Sequence, residues 1–124
     1  MRNPTLSLLA AALLAAAFAA QAQMAPATKA ADGTLTDAKG MTLYTFDRDA
    51  AGKSACNGPC ATNWPPLAAA ADAKATGDWT IISRDDGGKQ WAFRGKPVYT
   101  WSKDSKAGDK TGDGVNGVWH AAKE

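Results

Sequence analysis

The stretch "MTLYTFDRD" at residues 41–49 is followed, fifty-five positions later, by "KPVYTWSKD" at residues 96–104. The two halves then diverge for fourteen residues and return to the same register at a tryptophan. A match that keeps its register at both ends of the unit indicates two copies of one supersecondary unit. The shared positions are Tyr44, Phe46, Asp49 and Trp64 in the first copy and Tyr99, Trp101, Asp104 and Trp119 in the second.

The pattern around both copies is typical of β-hairpins. The segment "GTLTDAKGMTLYTF" (33–46) alternates apolar and polar residues on both sides of "DAKG", which predicts a strand, a turn and a strand. Residues 79–101 contain three short runs rich in aromatic and β-branched residues, separated by "DDGG" and "RGK". No long helical period follows residue 22. We therefore predict a mainly β fold with short loops and at most one-turn helices.

A lone hairpin is only marginally stable in water. Two copies can cover each other's apolar faces, which predicts a single small domain of two pseudo-symmetric β-hairpin repeats. Tyr44 and Phe46 fall on one face of their strand, as do Tyr99 and Trp101, and we interpret these rings as core. The aspartate that follows each strand is expected to accept backbone N–H bonds and hold the next turn. The eight repeated residues are thus predicted to be structural, and the alternative is an exposed aromatic platform that binds carbohydrate.

The N-terminal residues predict export. Residues 1–22 combine one basic residue, an apolar run of about fifteen residues and the small-x-small sequence Ala-Gln-Ala, which is typical of a signal peptide cleaved near Ala22. The run is shorter than the roughly 18–20 residues that span a bilayer, so no membrane span is expected after cleavage. We predict a disordered leader at 23–32 and a domain at 33–122. Its first repeat covers about 33–67 and its second repeat about 78–122. The Ala-rich segment 68–77 between them is expected to be a linker or one loose helical turn.

The charge of the chain does not indicate a polyanionic partner. Removal of Arg2 with the leader leaves 13 basic and 12 acidic residues. Such a near balance gives no electrostatic reason to expect nucleic acid or a membrane surface as partner. About one hundred residues form one modest core, and we expect a monomer.

The two cysteines lie in the segment "CNGPC" (56–60). An even count at short spacing in an exported chain predicts a disulfide between Cys56 and Cys60. The spacing is C-x-x-x-C, and not the C-x-x-C of thioredoxin-like redox motifs. A reversible redox pair or a thiolate metal site stays open as an alternative.

Two other features are candidate sites of chemistry. His120 is the only histidine, and with Cys56 and Cys60 it would make a donor set suited to copper(I), although the sequence does not show that the three residues meet. The segment "DKTGDGVNG" (109–117) follows the start of a calcium loop, but its twelfth position is His120, where that pattern requires Glu. No nucleophile elbow and no phosphate-binding glycine motif is present. The prediction is therefore that the chain has no cofactor and is not an enzyme.

The repeated patterns "YTFDRD" and "YTWSKD" resemble those of a bacterial secreted-repeat family of predicted envelope proteins, which are often described as lipoproteins. The segments "GKSACNGPCATNWPPL" (52–67) and "AGDKTGDGVNGVW" (107–119) are similar to the first-repeat and second-repeat segments of that family. The resemblance covers nearly all of residues 33–122. It implies export and a small repeat domain, but no activity, because the function of the family is unknown. This chain lacks the cysteine that would carry a lipid, so a lipid anchor is not expected.

These observations together predict an exported, non-catalytic envelope module with a binding or structural role and an unknown ligand, located in the periplasm or secreted. The first alternative is a periplasmic redox or copper-handling protein that uses Cys56 and Cys60. The second alternative is carbohydrate binding through exposed aromatic residues.

Overall fold

A computed structural model describes residues 26–124 of the protein. The predicted signal peptide, residues 1–22, and the first part of the predicted leader lie outside the described residues. The strands are β1 (Thr28–Lys29), β2 (Leu35–Thr36), β3 (Tyr44–Phe46), β4 (Trp79–Ser83), β5 (Lys89–Phe93), β6 (Lys96–Pro97) and β7 (Trp119–Ala121). The helical elements among these residues are the helix α1 (Pro59–Asn63) and the 3₁₀ turn η1 (Val115–Gly117). The predicted mainly β fold of two hairpin repeats is confirmed.

The first hairpin forms where the alternating segment predicts it. Strands β1 and β2 pair antiparallel, and β2 continues through the Thr36–Thr42 bridge to the segment that leads into β3. The carboxylate of Asp37 accepts the N–H groups of Lys39 and Met41 and so closes the turn. The prediction that residues 23–32 form a disordered leader was wrong for Thr28 and Lys29. Their backbone groups pair with β2, and this pairing orders a segment that has no apolar pattern of its own.

The second hairpin contains β4, β5 and β6 in that order, all antiparallel. Arg94 and Gly95 join β5 to β6, and both have positive φ, 51° and 84°. Two successive residues of positive φ form the tight turn whose twist matches that of the flanking strands. The three runs predicted between residues 79 and 101 therefore correspond to observed strands. In the predicted linker, Ala68 forms a bridge with Gln90 of β5, and the described residues 68–77 contain no helix.

The two repeats exchange strands with each other. Strand β3 of the first repeat pairs with β7 of the second, with Phe46 opposite Trp119. The segment after β6 pairs with the end of the first repeat, because Thr100 N–H donates to the Pro65 carbonyl at 2.9 Å. At the centre, the backbone N–H groups of Tyr44 and Tyr99 donate to each other's backbone carbonyls at 2.7 and 2.9 Å. The repeats are thus joined by backbone pairing in addition to the predicted contact between apolar faces.

The interior contains two clusters. One lies between the hairpin sheets and contains Leu35, Leu43, Trp79, Phe93, Val98 and Ala122. The other lies where the repeats exchange strands and contains Tyr44, Cys56, Trp64, Tyr99 and Trp119. No helix within residues 26–124 has the length and hydrophobicity that crossing a bilayer requires.

Candidate functional site

Four aromatic rings from the two repeats stack in one column, here called the aromatic column. Trp64 and Trp119 lie face to face at its centre, with ring centroids 3.8 Å apart and planes 3° apart. Trp101 stacks on the other face of Trp64 at 3.8 Å, and Phe46 stacks on the other face of Trp119 at 4.2 Å. Each ring therefore lies on a ring from the opposite repeat, so the aromatic column holds the two repeats together.

The two tyrosines pack with their edges against the central rings. Tyr44 meets Trp64 at a centroid distance of 5.4 Å, and Tyr99 meets Trp119 at 5.2 Å. Both tyrosines are fully buried, whereas Phe46 at one end of the column and the corresponding ring at the other are half-buried. No aromatic side chain within residues 26–124 is exposed. The platform of several exposed rings that one alternative requires is therefore absent from this part of the chain.

The repeated tyrosine and aspartate residues form hydrogen bonds across the repeats. Tyr44 Oη donates to Asp104 Oδ2 at 2.7 Å, and Tyr99 Oη donates to Asp49 Oδ2 at 2.6 Å. The other oxygen of each carboxylate accepts a backbone N–H of its own loop, from Ala55 at 2.7 Å and from Thr111 at 3.0 Å. The backbone contacts agree with the role expected for these aspartates. The bonds between repeats were not expected.

Burial raises the pKa of three of these four side chains. It raises the pKa of both tyrosines far above the usual value, and the partner carboxylates raise it further. Burial also raises the pKa of Asp49, although the Ala55 N–H and the Tyr99 hydroxyl oppose that shift. Each pair thus contains a neutral phenol that donates to a carboxylate, which is an arrangement suited to holding structure.

A buried arginine links the second hairpin to the first repeat. Arg84 is 6% exposed, and its Nη1 donates to Ser54 Oγ at 3.0 Å and to Gln90 Oε1 at 2.8 Å. Its Nη2 donates to the Cys56 carbonyl at 2.7 Å. Ser54 Oγ in turn lies 2.6 Å from Tyr99 Oη. A continuous polar network therefore extends from this guanidinium to the Tyr99–Asp49 pair.

The two cysteines are joined by a disulfide bond whose Cα atoms are 5.2 Å apart. Cys56 is fully buried and packs in the cluster around the aromatic column, whereas Cys60 lies in α1 and is half-buried. Gly58 between them has a φ of 59°, which favours glycine in the turn that the disulfide closes. In this structure the pair ties the loop of the first repeat to the core.

His120 lies on β7 opposite Thr45, and its Nε2 is 2.8 Å from Asp47 Oδ2. The side chains of His120 and Asp47 are both about half exposed. Within residues 26–124, no three His, Cys, Asp or Glu side chains are grouped as metal ligands. The structure therefore does not bring His120 together with Cys56 and Cys60.

The segment that begins like a calcium loop uses its carboxylates for local hydrogen bonds. Asp109 Oδ2 accepts the N–H groups of Ser105 and Lys106 at 2.9 and 3.1 Å, and these bonds lower the pKa of Asp109. Asp113 Oδ1 accepts the N–H of Ala121 at 2.9 Å. The carboxylates thus fold the loop onto itself and onto β7.

A groove of about 270 Å³ opens beside Phe46, between residues 45–51 and residues 94–97, and is here called the Phe46 groove. The Gly52 N–H donates to the Gly95 carbonyl at 2.9 Å and joins its two sides. The side chains that give it chemical character are Phe46, Asp47, Asp49, Arg94, Lys96 and Pro97. This concave surface combines one aromatic ring with charges of both signs.

Two of the four charges of the Phe46 groove, Lys96 and Asp47, have no charged counterpart in the other half of the pseudo-symmetric molecule, whereas Asp49 corresponds to Asp104. A shift of fifty-five positions replaces Arg94 by Lys39 and Lys96 by Met41, and it replaces Asp47 by Ser102. The rings of the aromatic column and the members of the Tyr–Asp pairs, by contrast, come from positions that both halves share. A feature that the shared scaffold does not require is the better candidate for function.

The sequence did not indicate several residues of this region. Arg84, beside the "DDGG" turn, has the sequence context of an exposed turn residue, yet the structure buries it. Arg94 and Lys96 were assigned only to a turn. Their role in the groove depends on the strand exchange, which brings the loop after β3 next to the turn before β6.

Comparison with known proteins places these residues in a family. A family model described as a secreted repeat of unknown function matches the chain twice, at residues 27–68 and 80–123. The two matches correspond to the two repeats of the structure, and the first begins just before β1. No curated protein and no solved structure shows significant similarity to the chain.

Proposed function

We propose, from the premise that the chain belongs to the family of secreted repeats of unknown function, that it is a non-catalytic module that binds a ligand. It acts as a monomer in the periplasm or outside the cell, after cleavage near Ala22. The two repeats supply a rigid scaffold, and the Phe46 groove supplies the binding surface.

The observation that carries this proposal is the reciprocal pairing of Tyr44 with Asp104 and of Tyr99 with Asp49. General acid–base and nucleophilic catalysis need a titratable group that can reach a substrate. The repeated carboxylates and phenols are instead bonded to each other, and both phenols are fully buried. The conspicuous polar motif of the chain thus supports cohesion and leaves binding to other residues.

The Phe46 groove supports the binding role because it is concave and chemically mixed. Ligand sites are typically clefts with apolar walls and a few fixed polar groups. Phe46 and Pro97 supply the apolar walls, and Asp47 and Arg94 supply polar groups. Both polar groups have partners outside the groove, because Asp47 Oδ2 lies 2.8 Å from His120 Nε2 and Arg94 pairs with Asp78.

The experiment that tests the proposal is a turnover screen with the purified mature protein. Chromogenic esters, glycosides and phosphomonoesters, together with a disulfide-reduction assay, cover the common hydrolytic and redox activities. We expect no turnover above the buffer control. Turnover that disappears in Asp49→Asn or in Cys56→Ser would overturn the proposal, and the latter result would favour the redox alternative. N-terminal sequencing of the exported protein tests the cleavage site.

A further inference from the structure

We propose that the Phe46 groove binds a single neutral sugar ring. This inference rests on the proposed binding function and specifies the class of ligand. It depends on three properties of the groove, which are a rigid aromatic face, a balanced set of charges and a small volume.

The aromatic face comes from Phe46. One face of its ring is stacked on Trp119 at 4.2 Å, which leaves the other face and the edge of this half-buried ring to line the groove. An aromatic face carries partial negative charge and attracts groups with partial positive charge. The C–H groups on one side of a pyranose ring are such groups, and the stacking on Trp119 keeps the platform from turning.

The charges of the groove cancel. Asp47 and Asp49 are balanced by Arg94 and Lys96, so the groove gives no net electrostatic preference for an anion or a cation. Asp47 is oriented by His120, and Arg94 is oriented by Asp78, with its Nε 3.2 Å from the carboxylate. Ionised side chains make strong hydrogen bonds to neutral hydroxyl groups. A neutral ligand with many hydroxyls fits this set better than a phosphate.

The volume of about 270 Å³ lies just below the range of about 300–1,000 Å³ that is usual for small-molecule sites. It therefore suits one ring and not a buried chain of several rings. The opposite end of the aromatic column is different. There the Lys103 ammonium lies 5.8 Å from the centroid of Trp101, so a cation from the protein itself occupies the position over that ring.

Ligand-observed NMR with the purified mature protein tests the inference. The probes are the methyl glycosides of glucose, galactose and mannose and N-acetylglucosamine, with a glycine dipeptide and inorganic phosphate as charged competitors. At least one glycoside is expected to show saturation transfer to its ring C–H protons. Its Kd, measured by calorimetry, should change little when NaCl is raised to about 0.5 M, because screening does not weaken neutral contacts.

Variants locate the site. Phe46→Leu keeps an apolar side chain and is expected to weaken binding about tenfold through loss of the ring face. Trp101→Leu truncates the ring at the other end of the aromatic column and is the matched control, with an affinity within about twofold of the wild type. Lys96→Gln is expected to weaken binding, whereas Lys39→Gln, in the equivalent turn of the first repeat, is not.

The outcomes separate the two proposals. If no glycoside binds, or if binding survives Phe46→Leu unchanged, the sugar inference is wrong. If the dipeptide or phosphate binds in the groove and the glycosides do not, the sugar inference is wrong while the proposed binding function stands. If the same spectra show a glycoside converted to product, the non-catalytic function is wrong.

Discussion

The hydroxyl of Tyr44 donates a 2.7 Å hydrogen bond to the carboxylate of Asp104, which lies in the other repeat of the chain. The equivalent bond in the other direction joins Tyr99 of the second repeat to Asp49 of the first. A motif in which each aromatic residue finds its partner in the opposite copy explains why both copies keep the tyrosine and the aspartate. Neither copy alone provides the partner for its own tyrosine.

Removing one phenol hydroxyl should destabilise the fold. In Tyr44→Phe, Asp104, which is 8% exposed, loses the bond to its Oδ2. Loss of a buried hydrogen bond to a charged group is expected to lower the free energy of unfolding by about 2 kcal/mol. Urea denaturation followed by tryptophan fluorescence measures the change. Asp47→Asn changes an exposed contact with His120 and is the control, with a cost below about 1 kcal/mol.

The chain should lose stability in alkaline solution. Both tyrosines of the sequence have pKa values raised in the folded protein, chiefly by burial and then by the partner carboxylates. Above pH about 10 the unfolded chain has released these protons and the folded chain still holds them, so each tyrosine lowers the unfolding free energy by about 1.4 kcal/mol per pH unit. Below pH about 10 their contribution is constant.

Denaturation curves between pH 9 and pH 11.5 (roughly the range that brackets the ordinary tyrosine pKa) measure this effect. The double variant Tyr44→Phe/Tyr99→Phe should lose most of the alkaline slope. A slope that is the same in the variant and in the wild type would show that the tyrosines titrate normally.

A methyl group at Gly112 should disturb the aromatic column. A Cβ built there lies 2.8 Å from the Trp64 ring and 3.0 Å from Trp101, so Gly112→Ala is expected to cost about 1–3 kcal/mol as overpacking. Gly88→Ala is the matched control, because its Cβ meets the half-exposed Asp86 carboxylate at 3.3 Å and no aromatic ring. Thermal or urea denaturation compares the two, and equal stability of both variants would contradict the tight stacking described here.

Loss of the disulfide should weaken the domain without abolishing the fold. Closing a loop of about five residues contributes about 2 kcal/mol on the chain-entropy estimate. The variant with Cys56→Ser and Cys60→Ser is therefore expected to fold and to unfold at lower urea concentration. The folded variant should bind glycosides in the Phe46 groove with the same affinity as the wild type. Loss of binding in a folded variant would indicate that the cysteines have a functional role.

The repeat itself allowed much of the fold to be predicted. The fifty-five-residue register identifies the rings that meet in the core, and the Asp-Gly and Arg-Gly pairs locate the turns of the second hairpin. Alternation shows which side chains share a face, but it does not identify the strand that pairs with each edge. The pairing of β3 with β7, instead of pairing within one repeat, was therefore not predicted.

The candidate site was harder to predict for a related reason. Arg84 is buried because neighbouring carbonyl, hydroxyl and amide oxygens satisfy its guanidinium, and two of those partners, Ser54 and Cys56, lie 30 and 28 positions away in the chain. Arg94 and Asp47 likewise lie forty-seven positions apart. No local pattern signals such contacts. The disulfide could be predicted because its two residues are close in sequence.

The most direct test of the central claim is a double-mutant cycle between Tyr44 and Asp104. The unfolding free energies of the wild type, Tyr44→Phe, Asp104→Asn and the double variant give the coupling between the two side chains. A coupling of about 1–2 kcal/mol is expected for a buried, charge-assisted bond between the repeats. A coupling indistinguishable from zero would contradict the claim that the repeated motif holds the two repeats together.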